Sequence, residues 1–151
     1  EELLHRGTIF RNLEDMLGSW IALLASALFF GYRHLGNADG NILGALAITI
    51  EAGLLLAALY MLTRRLWPCI GFHVAWNFTQ AGVFSGAVSG AFEQPGLLTA
   101  RLEGPELLTG GTFGVEASLV ALLVCTAAGV AILIMAARRG KIVQPSWRRK
   151  G

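Results

Sequence analysis

The chain has 151 residues, of which 54% are hydrophobic and only 15% charged, with a formal net charge of +2. Soluble domains average roughly 45–50% apolar and 25% charged residues, so this composition excludes an ordinary soluble surface and a strongly basic nucleic-acid-binding face. The length allows one domain.

Residues 1–15 read as the end of one helix followed by a short amphipathic stretch. They open with "EELLHRG", in which Glu1 and Glu2 precede Arg6 and Gly7. Taken alone, Glu2 and Arg6 read as an i,i+4 ion pair on a helix surface. Four apolar windows follow. Met16–Tyr32 has no charge, Asn41–Thr63 has only Glu51, Leu66–Phe92 has none apart from His73, and Ala117–Ala137 has none. A helix needs about 17–25 mostly apolar residues to cross a bilayer, and all four windows fit, the first only just. The expected fold class is therefore all-α: a polytopic membrane helix bundle, with helices near 16–35, 41–63, 68–90 and 116–138. Lipid leaves a spanning backbone little choice but the helix.

The connections fit this pattern. "GNADG" at 36–40 is a turn without a base, and Pro68 suits the first turn of a helix after "TRR". The loop from Glu93 to Glu116 is rich in Gly, Pro and Thr and carries one base, Arg101, so it reads as extracytoplasmic, with part of it dipping back into the membrane. The other bases gather elsewhere: Arg11 before the first window, Arg64 and Arg65 between the second and third, and six in the basic tail 138–151. The positive-inside rule places both termini and the Arg64–Arg65 turn in the cytoplasm. A basic tail directly after a spanning helix is a topology determinant near anionic lipid rather than a nucleic-acid patch. Trp20, Trp67 and Trp147 fall near the interfaces, as an aromatic belt would place them. The two cysteines, Cys69 and Cys125, lie inside apolar windows with no CxxC pattern and read as small buried hydrophobes.

Ionisable side chains within a bilayer cost at least about 2–3.5 kcal/mol on insertion scales, so each one calls for a reason. His34 stands at the end of the first window, one helical turn after Phe30. His73 and Asn77 share a helix face at i,i+4 and read equally as lining a polar cavity or as hydrogen-bonded glue between helices. Glu51 reads either as lining that cavity or, by preference, as paired with a buried donor. Together these residue types fit hydrolysis: a carboxylate to activate water, an imidazole to orient it, and His with Asn to hold an oxyanion. They fit equally a zinc site of one Glu and two His. Neither HExxH nor GxSxG is present.

In order along the chain, "EELLHR" matches EExxxR, "FGYRH" matches FxxxH and "HVAWN" matches HxxxN. With these three motifs the chain resembles the CAAX prenyl endopeptidase-like (CPBP) intramembrane proteases, bacterial members included, over most of its length to about Ala137. His5 departs from the pattern, since an aromatic usually precedes the arginine. The resemblance implies an intramembrane endopeptidase of the bacterial cytoplasmic membrane, acting on a peptide or protein substrate, lipidated ones included. It implies Glu1 as the base that activates water, His34 as the group that orients it, His73 and Asn77 as the oxyanion binders, and Glu2 with Arg6 as support. It implies no cofactor. The alternative is a zinc enzyme using Glu1, His34 and His73 as ligands, and we prefer the metal-free form because Asn77 suits an oxyanion better than zinc. The motif opens at residue 1, so upstream helices of the family's bundle are expected to be missing.

Up-and-down threading sets a difficulty. It puts His34 near the extracytoplasmic end of the first helix and His73 near the cytoplasmic start of the third, roughly 10–15 Å apart in depth. Two other classes stay open: a non-proteolytic membrane binding or immunity protein using the same polar cavity, and a proton-coupled transporter fragment with Glu51, His34 and His73 as a relay. No repeat supports the transporter.

Overall fold

The computed structural model describes residues 1–91 and 93–149, and among these no residue is in a strand. Residues 2–17 form one continuous helix, α1, whose middle His5–Phe10 is wound as a π-helix. Gly18, at φ 81°, breaks the chain direction, and Ser19–Arg33 forms α2. Ile42–Thr63 is α3, opened by an Asn41 cap that accepts from the Gly44 amide at 2.8 Å and π-wound at Thr49–Leu54. Arg64 ends it in the left-handed conformation, φ 57°. Residues 66–83 make α4, with Pro68 in its first turn, where a missing N–H is harmless, and a π segment at Phe78–Val83. After a long connection with one short helix, Glu106–Thr109 (α5), the chain closes with Leu119–Arg138 (α6), capped by Ser118, which accepts from the Ala121 amide at 3.2 Å.

Several expectations shift here. The stretch 1–15 is a single helix rather than a helix end and a separate segment. Among the described residues only α3 and α6 are both long and apolar enough to cross a membrane. The first window yields a helix of 15 residues, about 22 Å long at 1.5 Å per residue, short of a hydrocarbon core of about 30 Å. The third ends as helix at Val83 rather than near 90, and Phe92 lies outside the described residues.

Packing explains why α3 lies at the centre. Buried side chains make up 61% of its apolar window, against 22% for α6. Small residues let α2 and α3 meet closely: Ala27 and Gly31 on one helix face Ala45, Thr49 and Gly53 on the other. A Cβ on Gly53 would sit 3.1 Å from the Ala27 Cα, and one on Gly31 would overlap Thr49 Oγ1 and the Ala45 carbonyl. This small-residue contact is how helices associate where lipid removes the hydrophobic drive. Two clusters of buried apolar side chains fill the rest: one around Phe10, Leu23, Leu56 and Met61, the other made by Phe30, Ile48 and Phe113. Phe113 belongs to the long connection, and its ring is buried against Gly44. Leu24, Leu43, Trp67, Phe78 and Val124 face outward, as lipid-facing side chains would.

The tail is not a free basic appendage. Ser19 N–H donates to the Val143 carbonyl at 3.0 Å, and Val143 N–H donates back to Ser19 Oγ at 2.8 Å. Glu14, buried, accepts from Ser19 Oγ at 2.5 Å and from the Arg64 guanidinium, which also reaches the Lys141 carbonyl. Arg149 donates to the backbone carbonyls of Glu14 and Asp15. The α1–α2 corner, the α3–α4 turn and residues 141–149 thus meet at one end of the bundle, while Lys150 and Gly151 lie outside the described residues.

The α2–α3 contact gives a direct test. Gly31→Ala should lower thermal stability by about 1–3 kcal/mol, because overpacking forces side chains and backbone apart. Gly36→Ala, which meets nothing within 4 Å, should leave the melting temperature in detergent unchanged. Equal melting curves for the two variants would contradict the close packing.

Candidate active site

The first turn of α1 carries the acidic pair, and its two carboxylates face different surroundings. Glu2 is buried, whereas the Glu1 side chain is 49% exposed. Arg6, one turn on, is 1% exposed. Its Nη1 donates to Glu2 Oε1 at 3.2 Å, and its Nη2 donates to the carbonyls of Ala52 and Gly53 at 3.1 and 3.0 Å. Its Cζ lies 4.6 Å from the centre of the Phe30 ring. The i,i+4 pair is real, but it belongs to the core and not to a helix surface. The accepting carbonyls fall within the π segment of α3, and Arg6 itself lies in the π segment of α1. Such windings occur frequently at functional sites.

His73, on α4, joins this cluster through both ring nitrogens. Nδ1 is 2.9 Å from Glu2 Oε1, and Nε2 is 3.6 Å from Glu1 Oε2. An ionised carboxylate only accepts, so Nδ1 is the donor in the shorter contact. His34, buried at the end of α2, hydrogen-bonds the Phe30 carbonyl through Nδ1 at 2.7 Å. A carbonyl also only accepts, so the proton sits on Nδ1 and Nε2 carries the free lone pair.

Phe30 is the common neighbour. Its ring centre lies 4.8 Å from that of His34, 6.0 Å from that of His73 and 4.9 Å from that of His5. The two imidazoles thus flank one benzene ring in spite of the depth difference that simple threading gives them. His5 fills the place of an aromatic ring, packed against Phe29 and Phe30. Burial lowers its pKa from the ordinary value, opposed by its hydrogen bond to the Glu1 carbonyl.

Asn77, one turn beyond His73, lines a small cavity with His73, Phe30, Trp76, Glu51 and Glu116. Its volume is about 10 Å³, close to the room one water needs. Glu51 does not find the strong buried donor expected of it: Oε1 meets only the Cys125 thiol at 3.9 Å, and Oε2 has no partner among the described residues. Glu116 is a site residue that the sequence reading passed over. It is 1% exposed and accepts four hydrogen bonds, from Trp76, Gln80 and, twice, Ser89. The available signal was a polar stripe on α4, with His73, Trp76, Asn77 and Gln80 at i, i+3, i+4 and i+7.

Among the described residues no three His, Cys, Asp or Glu side chains are grouped as a metal's ligands. His73 faces a carboxylate from each nitrogen, and the Phe30 ring packs against both His34 and His73.

Among the described residues the chain is thus helical, with two apolar helices of membrane-crossing length and with paired glutamates, an arginine and histidines gathered between its helices. Residues 1–79 match the family model of the type II CAAX prenyl endopeptidase Rce1-like proteins, and the chain belongs to that family. No curated protein and no solved structure matches it.

The Arg6 cluster can be probed by Arg6→Lys. Lysine keeps the charge but lacks the planar fork that serves Glu2 and two carbonyls at once. Loss of one charged hydrogen bond costs about 1.5–3 kcal/mol, so the variant should unfold in detergent at a clearly lower temperature. An unchanged transition would show that the fork is not what joins α1 to α3.

Proposed function

We propose that this protein is a metal-free intramembrane endopeptidase in which Glu1 activates the attacking water. Family membership supports peptidase chemistry of the CAAX type. The single observation that favours these residues is His73 held between Glu1 and Glu2 at the edge of a cavity with room for about one water. Glu1, half exposed and 3.6 Å from His73, takes a proton from water. The resulting hydroxide forms the C–O bond to the scissile carbonyl carbon. The negative charge that develops on the carbonyl oxygen is held by the Asn77 amide N–H and by Nε2–H of His73, which enters the cycle as the imidazolium between Glu1 and Glu2 and keeps both its protons throughout. Glu2 holds His73 through Nδ1, and His34 orients the water through Nε2. The intermediate then collapses, the C–N bond breaks, and Glu1 returns its proton to the leaving amine.

On this reading the chain is part of a polytopic bundle in which α2 and α4 also lie within the bilayer, tilted or shielded by neighbouring helices. The exposed apolar side chains on α2, α4 and α6 support it. The stretches that resemble bacterial family members support a bacterial cytoplasmic membrane. The substrate is a peptide or protein presented at the membrane, and the greasy surroundings of the site suit a lipidated one.

The test is cleavage of a quenched fluorescent peptide library by the purified protein in proteoliposomes. Glu1→Gln should reduce turnover by about 10²–10⁴-fold, the usual range for loss of a general base. Asn77→Ala should reduce it by about 10²–10³-fold, as for one oxyanion donor. Both variants should keep the wild-type melting temperature, and a chelator should leave the wild type active. Reversible loss of cleavage on chelation, with metal bound in stoichiometric amount, would replace this mechanism by the zinc version. Substrate binding without turnover, equal in wild type and Glu1→Gln, would favour the non-proteolytic class.

A further inference from the structure

Glu116 stands outside the three motifs, yet it is among the most completely bonded carboxylates in the chain. It lies in a one-turn 3-10 segment, Val115–Ala117, directly before α6. Oε1 accepts from Trp76 Nε1 at 2.7 Å and from Gln80 Nε2 at 2.9 Å. Those two donors are one turn apart on α4 and bracket Asn77. Oε2 accepts from the Ser89 amide and the Ser89 hydroxyl, each at 2.6 Å. Ser89 is held at φ 51°, a left-handed conformation uncommon for serine, and its two bonds to one oxygen fix it there.

The connection continues beyond Ser89. The Ser89 carbonyl accepts from Asn37 Nδ2 at 2.6 Å, and the Gly90 carbonyl accepts from the Asp39 amide at 2.8 Å. The Asn37 amide in turn donates to the His34 carbonyl at 3.2 Å. One carboxylate is therefore bonded directly to the helix that carries His73 and Asn77, and through Ser89 and Asn37 to the segment that carries His34. Arg6 joins α1 to α3 beside the motif side chains. Within the three motifs α4 is held through His73 alone, by its contacts with Glu1, Glu2 and Phe30, and the N-terminal half of α4 exposes Trp67 and Val74 and buries only Cys69.

We infer that Glu116 is a positioning residue for the proposed reaction, setting the rotation of α4 through Trp76 and Gln80 so that His73 and Asn77 face the cavity. The inference rests on the proposed mechanism for its effect on turnover, but its structural content stands independently. A carboxylate suits the place because four donors converge on two acceptor oxygens. Glutamine would turn an NH₂ group toward two of those donors. Aspartate keeps both acceptors but is one methylene shorter.

The experiment uses the protein in detergent or proteoliposomes with its three histidines labelled by ¹⁵N. His73, His34 and His5 give separate imidazole signals, and His5, bonded to the Glu1 carbonyl, serves as the control. In Glu116→Gln the His73 signals should move or broaden while those of His5 stay in place. Peptide cleavage should lose about 10–10²-fold in kcat, the scale of a small misplacement of catalytic groups, with KM within about twofold. Gln80→Leu removes a single donor and leaves the carboxylate, so it should give the same change in smaller degree. Combined with Glu116→Gln it should be strongly non-additive, as expected for groups acting as one unit. Gln80→Leu also decides the matter should Glu116→Gln fail to fold. Unmoved His73 signals in a folded Glu116→Gln or Gln80→Leu protein would overturn the inference, whatever the activity. A wild type that cleaves nothing, with His73 still displaced in Glu116→Gln, would uphold the positioning role and reject the proposed mechanism.

Discussion

The buried guanidinium of Arg6 touches three helices at once. A charge taken out of water needs compensation from nearly every atom around it. Here one carboxylate, two backbone carbonyls and an aromatic face supply it, and they come from α1, α3 and α2. Because these partners sit on three helices, Arg6 fixes how the helices are placed relative to one another. Glu2 is then held at a set distance from Phe30, and His73 can reach Glu2 only if α4 docks beside them. The pair is weak evidence of stability by itself, since buried ion pairs often return little net energy. Its effect is specificity: few other packings bring the same carboxylate, carbonyls and ring to one guanidinium, whose Nε has no partner among the described residues.

Phe30 gives the two histidines a common neighbour. Threading by rise per residue sets His34 and His73 at different depths, and nothing in the helix lengths abolishes the offset. A ring packed against both spans it, because Phe30 precedes His34 by one turn on α2 and therefore lies nearer the level of His73. The FxxxH spacing thus has a physical meaning. The histidine is bonded back to the phenylalanine carbonyl, which fixes its tautomer, while the phenylalanine ring carries the contact onward to Arg6, His5 and His73.

Much of this was legible in the sequence, and the failures have identifiable causes. The apolar windows located α2, α3, α4 and α6 because the absence of charge is a strong local signal. The family was legible because three motifs stand in order. The burial of Glu2 and Arg6 was not, since an i,i+4 pair reads the same on a surface and in a core. What tells them apart is a pair of carbonyls 46 and 47 residues away. Glu116 was missed for a similar reason: its α4 partners are 40 and 36 residues distant, and an acid in a Gly-rich loop looks solvated. The tail was read from its charge alone, whereas Val143 and Arg149 are tied down mainly through backbone groups, which composition does not reveal. Each π segment among the described residues spans six residues, too few for its wider winding to be told from a 3.6-residue period.

The two glutamates that open the chain are chemically identical, and the fold makes them different. Glu2 is enclosed and committed to Arg6 and His73, so it has no approach to a peptide. Glu1 has one side open and keeps only a 3.6 Å contact with His73 Nε2. A cavity of about 10 Å³ admits a water but no peptide, so on the proposed mechanism the scissile bond meets the site from the open side of Glu1. Base and substrate then approach the same face, with the oxyanion donors His73 and Asn77 at its edge. On the proposed mechanism the base is therefore selected by access rather than by acidity: of two adjacent carboxylates, Glu1 is the one the core leaves uncovered.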